Sequence, residues 1–156
     1  DGIKPEIETL DFSFFDTVFT NYAMIAEESE KGFTAQNQVG RSIQTDKTLL
    51  KQLMTILFDN AIKYTEDDGQ VTFTVRTNDR HLYLTVADNG PGIADEDKKK
   101  IFDRFYRVDK ARTRQQGGFG LGLSLAQQIV LALKGTIIVK DNQPKGTIFE
   151  VKITGV

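Results

Sequence analysis

The sequence of 156 residues contains no cysteine and only one histidine. The absence of cysteine excludes disulfides, thiolate chemistry and cysteine-based metal sites, and a single histidine excludes a multi-histidine metal site. No apolar run approaches the roughly 18 residues that a membrane span requires. The formal net charge of −2 argues against general nucleic-acid binding.

The composition is that of one folded domain with an uneven charge distribution. A hydrophobic fraction of 39% and a charged fraction of 27% argue against disorder, and the length fits a single domain. Residues 1–30 hold eight acidic residues and one basic residue, whereas residues 98–114 hold eight basic and two acidic residues. A basic segment of this kind can attract one anionic ligand, although a solvated charged loop is the simpler explanation of the charge alone.

The hydrophobic patterns predict an α+β fold, in which helices cover one face of a mixed, mostly antiparallel sheet as a two-layer sandwich. Apolar residues at helical spacing predict the following helices: 14–29, 47–64, 95–105 and 121–134. Alternating or short apolar segments predict the following strands: 33–38, 41–45, 70–77, 81–87, 135–141 and 146–153. Residues 106–118 lack periodicity and are predicted to form a functional loop.

Particular residues set the expected boundaries. The first helix is expected to bury Phe15, Val18, Phe19, Tyr22 and Ile25. A glycine at position 32 is expected to end that helix, and the aspartate at position 46 to cap the start of the second helix. Residues 1–10 are predicted to be a linker from an upstream domain, and residues 11–156 the domain itself.

The first candidate cluster lies near the end of the second predicted helix, in the segment LFDNAIKYT (57–65). At 100° per residue, Asn60 falls within the apolar face, about 20° from Leu53. Lys63 and Tyr64 follow at i+3 and i+4, so the three side chains can converge. An amide oxygen can ligate Mg²⁺, a lysine can contact phosphate, and an aromatic ring can lie against a base. An asparagine that hydrogen-bonds within the core explains the pattern equally well.

The second candidate cluster is the segment DNGPGI (88–93), directly after a predicted strand. At the strand end, Asp88 could accept a hydrogen bond from an exocyclic amine such as that of adenine. Gly90 and Gly92 allow a tight turn whose backbone a ligand can approach closely. An ordinary strand-to-helix turn is the simpler interpretation of this segment taken alone.

The third candidate cluster is GGFGLGLS (117–124), at the start of a predicted helix. Its glycines free the backbone, and the amides at a helix N-terminus attract phosphate. The segment is not a Walker loop, because no Gly-Lys-Ser/Thr follows, and it does not match G-x-G-x-x-G after a strand. A flexible hinge explains the glycines equally well.

In this order and spacing, the three clusters resemble the N, G1 and G2 boxes of the sensor histidine kinase ATP-binding domain. The segment IFDRFYR (101–107) resembles the F box of that family, and GTIFEVKI (146–153) resembles its closing strand. The wider group includes gyrase, the heat-shock chaperone ATPases and the mismatch-repair ATPases. The resemblance spans about residues 10–154 and implies a Bergerat-type sandwich that binds ATP and Mg²⁺ under a lid at about 103–119.

The resemblance also implies roles for individual residues. Asn60 would ligate Mg²⁺, Lys63 would contact phosphate and Tyr64 would lie near the nucleotide. Asp88 would accept a hydrogen bond from the adenine amino group. Further residues would surround the nucleotide: Gly90, Gly92, Ile93, Phe102, Phe105, Gly118, Gly120, Leu121 and Gly122.

The resemblance also implies roles for two arginines and two phenylalanines in and beside the lid. Arg107 and Arg112 fall where the family often has lid arginines, and they would act with Asn60 and Lys63 in catalysis. Phe102 and Phe105 would anchor the lid, and plain core packing of both rings is compatible with that role.

The sequence departs from the family pattern at one position. Family members usually carry asparagine four residues before the Mg²⁺-ligating asparagine, and the gyrase and chaperone ATPases carry a glutamate general base there. This chain has Ile56 at that position, and isoleucine neither binds a cation nor activates water. The departure therefore argues against ATP hydrolysis as the function.

The resemblance implies the catalytic domain of a two-component sensor histidine kinase. Such a domain transfers the γ-phosphate of ATP to a histidine on a separate dimerisation domain, for relay to an aspartate of a response regulator. His81 is interpreted as structural, because Leu82 rather than an acid follows it at the start of a strand. The acceptor would therefore lie on the helical domain of the same kinase. The parent protein would be a homodimer anchored in a bacterial cell membrane, with this domain in the cytoplasm and monomeric in isolation.

Three alternatives share the fold or the pocket. The first is an ATPase of the gyrase or chaperone type, which steady phosphate release would reveal. The second is a non-catalytic relay module that binds nucleotide or only a partner. The third is a serine kinase of the anti-sigma type, which the F box resemblance disfavours.

Overall fold

The computed structural model describes two ranges of the chain, residues 2–106 and 122–156, which contain both helices and strands. In chain order they are β1 (Glu8–Leu10), α1 (Phe12–Glu28), β2 (Gly32–Gln38), β3 (Ile43–Thr45), α2 (Lys47–Tyr64), β4 (Gln70–Thr77), β5 (His81–Asp88), α3 (Asp95–Lys98), α4 (Gly122–Ala132), β6 (Gly135–Asp141) and β7 (Thr147–Thr154). No helix of these two ranges is both long and apolar enough to cross a bilayer.

Five strands form the main sheet in the order β2-β4-β5-β7-β6. The β2–β4 pair is parallel, and the other three pairs are antiparallel. The sequence prediction of a mixed, mostly antiparallel sheet with helices is therefore confirmed. β3 was predicted as a strand, but it pairs with β1 in a separate two-stranded sheet.

The core lies between one face of this sheet and the helices. β4, β5 and β7 alternate strictly, so every second residue is buried, as Val71, Phe73 and Val75 show in β4. From the helix side, Tyr22 of α1 stacks on Phe58 of α2 with 4.2 Å between ring centroids. The Tyr22 hydroxyl is also 2.8 Å from the Thr55 hydroxyl, and burial raises the pKa of Tyr22. These contacts fix α2, which carries the first candidate cluster.

The start of α2 is set by Asp46, as predicted. One carboxylate oxygen, Oδ1, accepts a hydrogen bond from the Leu49 backbone N–H at 2.9 Å, which is an N-cap contact. The other oxygen, Oδ2, accepts from the Glu6 N–H at 2.7 Å. One buried side chain therefore caps α2 and holds the N-terminal segment against it.

Replacing Asp46 with alanine is expected to cost more stability than removing an ordinary cap. We expect a loss of about 2 kcal/mol, of which about 1 comes from the cap and about 1 from the Glu6 contact. Asp11→Ala is the matched control, because exposed Asp11 caps α1 through its contacts with Ser13, and its loss is expected to cost less than the loss of Asp46. Urea unfolding measures both, and equal losses would contradict the second role of Asp46.

Three boundary predictions are corrected. Ile25 is 42% exposed, and Ala26 is buried instead, because Ala26 lies about 20° and Ile25 about 80° from Phe15 around the helix. α1 ends at Glu28, and Gly32 begins β2 rather than ending the helix. α3 covers only Asp95–Lys98, not residues 95–105.

Candidate functional site

The end of α2 presents the first candidate cluster. Asn60 and Tyr64 are half-buried and Lys63 is exposed, all within the last turns of the helix. Partial burial raises the pKa of neighbouring Asp59, and the Lys63 ammonium one turn later opposes that rise. The helix end therefore carries an amide, a cation and an aromatic ring, as the sequence predicts.

Asp88, the last residue of β5, is a buried carboxylate with a defined orientation. Its Oδ1 accepts hydrogen bonds from the Gly90 N–H at 2.9 Å and from the Thr147 N–H at 3.3 Å. Burial raises the pKa of Asp88, and these two hydrogen bonds oppose the rise. Both contacts use Oδ1, so among the described residues these N–H groups leave Oδ2 to accept from a ligand.

The second cluster, which we call the glycine turn (residues 88–93), packs directly against the end of α2. A Cβ at Gly90 would lie 2.4 Å from the Tyr64 carbonyl oxygen, closer than real Cβ atoms approach. Gly92 has a φ of +82°, which glycine adopts readily. Glycine at position 90 lets the turn touch the helix end at Tyr64, so the turn that begins with Asp88 lies against the first cluster.

The connection between β6 and β7 supports Asp88 from the other side. Asn142 Nδ2 donates to the Asp88 carbonyl oxygen at 2.8 Å, and Thr147 is buried beside the carboxylate. Gly146 approaches so closely that a Cβ there would lie 1.9 Å from the same carbonyl oxygen. Sequence reasoning missed these residues as site components. The only signal was the closing-strand pattern at 146–153, which says nothing about the partner of Thr147.

The third cluster is described only from Gly122 onwards. Gly122 begins α4 and is exposed, and a Cβ there would lie 3.6 Å from Ile56 Cγ2. The start of α4 therefore lies beside α2 one turn before Asn60. The other predicted residues of the lid and third cluster lie outside the described residues: Arg107, Arg112, Gly118, Gly120 and Leu121.

The F box segment shows one expected and one unexpected aromatic ring. Phe102 is half-buried and meets Phe149 edge-on with 6.3 Å between centroids, and Ile93 also packs against the core. Phe105 is instead 62% exposed with a φ of +66°, so the alternative interpretation, plain core packing, does not hold for this ring. The segment turns after α3, where the Tyr106 hydroxyl donates to Asp97, and this turn directs Phe105 outwards.

An open groove of about 650 Å³ follows the outer side of α2. Within the described ranges it is lined by Glu8, Lys47, Thr48, Lys51, Gln52, Thr55, Ile56 and Asp59. Its end at Ile56 and Asp59 reaches the helical turn that precedes Asn60.

Residues 2–106 and 122–156 contain no group of three His, Cys, Asp or Glu side chains that could hold a metal by themselves. Mg²⁺ does not require such a cage, because it usually keeps several waters and binds one or two protein groups together with phosphates. Asn60 offers a suitable amide oxygen, and Ile56 offers none. The residues present therefore fit a cation that arrives with a phosphate ligand.

Comparison with known proteins places the chain in a family. Residues 45–155 match the family described as histidine kinase-, DNA gyrase B-, and HSP90-like ATPase. The sensor protein CiaH of Streptococcus pneumoniae is 70% identical over 153 residues, which cover 98% of this chain and 34% of that protein. The chain thus spans about a third of the length of this relative.

Solved structures agree with the sequence match. The mycobacterial sensor histidine kinase MprB is 28% identical with a TM-score of 0.76, and the match covers 95% of this chain and 98% of that structure. The catalytic domain of histidine kinase ThkA, at 24% identity, shares the fold with a TM-score of 0.82 and covers 96% of each chain. The chain therefore belongs to the histidine kinase-, DNA gyrase B-, and HSP90-like ATPase family.

Proposed function

We propose that this chain binds ATP with Mg²⁺ and acts as the catalytic domain of a two-component sensor histidine kinase. The observation that carries the proposal is the contact between the glycine turn and the end of α2. It places a buried carboxylate, Asp88, beside a helix end that carries Asn60 and Lys63. A base-binding group and phosphate-binding groups then face one ligand.

The adenine end of the ligand is assigned to Asp88. Its Oδ1 is occupied by the Gly90 and Thr147 N–H groups, so Oδ2 accepts from the exocyclic amine. An ionised carboxylate only accepts hydrogen bonds, so it has no donor for the carbonyl oxygen that guanine carries in place of this amine. Asp88 therefore favours adenine over guanine.

The phosphate end is assigned to Asn60 and Lys63, with Arg107, Arg112 and the backbone around Gly118 and Gly120 from the third cluster. Asn60 would hold Mg²⁺ through its amide oxygen, and Lys63 would place its ammonium against the phosphates. When bound, Mg²⁺ neutralises charge on the phosphates. Phosphoryl transfer depends mainly on such positioning and charge stabilisation rather than on covalent chemistry by the protein.

The nucleophile is assigned to a histidine of a separate helical dimerisation domain of the parent protein. Its imidazole nitrogen attacks the γ-phosphorus, the bond to the β–γ bridging oxygen breaks, and ADP leaves. An aspartate of a response regulator then receives the phosphoryl group. We place the parent protein in a bacterial cell membrane, with this domain on the cytoplasmic side.

ATP hydrolysis is the less suited activity of this site. A hydrolase needs a group that activates water, and the family's ATPases carry it at the position that Ile56 occupies here. The Ile56 side chain is apolar, half-buried and adjacent to Gly122. The site therefore favours transfer to an external acceptor over transfer to water.

Replacing Asn60 with alanine tests the proposal. The native chain is expected to bind ATP more tightly with Mg²⁺ than without it, and Asn60→Ala is expected to remove this difference because the amide ligand is lost. Calorimetric titration with ATP, in Mg²⁺ and in EDTA, measures the effect. In the parent kinase the same variant is expected to abolish autophosphorylation.

Asn21→Ala is the matched control, because Asn21 is an exposed asparagine on α1, away from the site. It is expected to bind ATP as the native chain does under both conditions. An Asn60→Ala variant that retains the Mg²⁺ dependence, or a parent kinase that still phosphorylates itself normally, would refute the assignment of Asn60.

A further inference from the structure

The contact between α2 and the glycine turn includes a side chain that the sequence analysis did not single out. Asn89 Oδ1 accepts two hydrogen bonds, from the Thr65 hydroxyl at 2.9 Å and from the Gln70 N–H at 2.9 Å. Thr65 is the fully buried C-cap residue of α2, and Gln70 begins β4. One amide oxygen therefore joins the end of α2, the start of β4 and the glycine turn.

Thr65 is held on its other side as well. Lys31 Nζ donates to the Thr65 carbonyl oxygen at 2.6 Å, which satisfies one of the free carbonyls at the helix end. A Cβ at Gly90 would lie 3.2 Å from Thr65 Cα, so the turn and the helix end also touch through their backbones. Since Thr65 is fixed by these contacts, Asn89 sets the position of the turn relative to a rigid helix end.

We propose that Asn89 is a positioning residue that fixes the spacing between the two halves of the nucleotide site. The inference rests on the proposed function. Asn60 and Lys63 lie on α2, five and two residues before its C-cap residue Thr65, whereas Asp88 immediately precedes Asn89 in the turn. A ligand that contacts both groups binds well only if their separation is held to within about 0.5 Å.

The proposed role of Asn89 predicts that its loss changes the affinities for ATP and adenosine by different amounts. ATP spans both halves of the site, whereas adenosine uses only the Asp88 half. If the Asn89 bridge sets the spacing, its loss weakens ATP binding and leaves adenosine binding nearly unchanged. If Asn89 only stabilises the fold, both ligands weaken together. The ratio of the two affinities therefore separates positioning from general stability.

The experiment removes each partner of the hydrogen bond in this chain. Asn89→Ala removes the acceptor, and Thr65→Val removes the donor with little change of shape, whereas Thr65→Ser keeps a hydroxyl donor. ATP affinity with Mg²⁺ is measured by calorimetry and adenosine affinity by NMR shift titration. Asn89→Ala and Thr65→Val are expected to weaken ATP binding about three- to tenfold, with adenosine changed less than about twofold and Thr65→Ser close to native.

Asn78→Ala is the matched control. Like the Asn89 Oδ1, the Asn78 Oδ1 accepts two hydrogen bonds, here from the Arg80 and His81 backbone N–H groups. Asn78 lies in the β4–β5 turn, at the opposite end of β4 and β5 from Asn89. Its removal is expected to lower stability without changing the ratio of ATP affinity to adenosine affinity. The comparison shows whether the loss of any bridging amide alters nucleotide binding.

Two results would overturn the positioning role. One is an equal loss of ATP and adenosine affinity in Asn89→Ala and Thr65→Val, and the other is no loss in either variant. The double variant is expected to bind ATP no more weakly than the weaker single variant, because both changes break the same hydrogen bond. If the native chain binds neither ligand, the proposed function itself is wrong and the role of Asn89 is rejected with it.

Discussion

Asp88→Asn is expected to abolish detectable ATP binding while leaving the fold intact. The new amide oxygen can still accept from the Gly90 and Thr147 N–H groups, so the NH₂ group faces the adenine amine in place of Oδ2. Two donors then oppose each other. Loss of a hydrogen bond to a charged acceptor alone corresponds to about 1.5–3 kcal/mol, or roughly a 10- to 150-fold weaker affinity, and the donor–donor contact adds to that loss.

The same variant is expected to be at least as stable as the native chain at neutral pH. Burial raises the pKa of Asp88 in the folded state, so the folded chain binds this proton more tightly than the unfolded chain does. Stability from Asp88 therefore falls as the pH rises from its unfolded pKa through its folded pKa, and the full penalty is present once the pH exceeds the folded pKa. Asparagine carries no such penalty.

The raised pKa also predicts how ATP affinity depends on pH. Binding of the adenine amine needs the ionised carboxylate, so affinity is expected to fall as the pH drops through the folded pKa of Asp88. This fall begins above pH 3.8, the ordinary value for aspartate. Calorimetric titrations at a series of pH values measure the affinity, and thermal unfolding over the same series measures the stability.

Asp79→Asn is the control for these measurements. Asp79 is exposed in the β4–β5 turn, so the same chemical change there is expected to leave ATP affinity unchanged. Native-like ATP binding by Asp88→Asn would contradict the assignment of the adenine-binding group. A marked loss of stability at pH 7 would contradict the burial penalty.

The features that sequence predicted well are those set by residues close together in the chain. The bounds of α2 follow from the Asp46 cap and the apolar spacing after it, and the β4–β5 hairpin follows from alternation around the turn at Asn78. Each depends on contacts within a few residues. The wrong prediction that Ile25 is buried is also local, because Ile25 and its neighbour Ala26 both lie near the apolar face of α1 and only Ala26 is buried.

The features that sequence could not predict depend on contacts between distant segments. β3 was recognised as a strand, but its pairing with β1 joins residues more than 30 positions apart. Local motifs predict Asp88, Asn60 and the glycine turn as parts of the candidate site. They do not predict the residues that support these groups, because Thr147 lies 59 residues from Asp88 and Thr65 lies 24 residues from Asn89. No local pattern distinguishes Asn89 from any turn asparagine.

Gly146→Ala is expected to be the most destabilising single substitution at the site. The φ of Gly146 is +115°, a conformation that residues with a Cβ rarely adopt, and the new Cβ would lie 1.9 Å from the Asp88 carbonyl oxygen. That oxygen belongs to the backbone, so no side-chain rotation relieves the contact. We expect a loss of about 3–5 kcal/mol in the free energy of unfolding, combined with weaker ATP binding because Asp88 is displaced.

Gly155→Ala separates the two parts of this effect. Gly155 also has a positive φ, +77°, but among the described residues no atom beyond its chain neighbours lies within 4 Å of its Cβ position. Gly155→Ala is therefore expected to lose only the stability that the backbone conformation costs, about 1–2 kcal/mol in the free energy of unfolding. Its ATP affinity is expected to be unchanged. Urea unfolding and calorimetric titration of both variants give the comparison. Equal losses of stability, or native ATP affinity in Gly146→Ala, would show that close packing of the β6–β7 connection does not hold Asp88 in place.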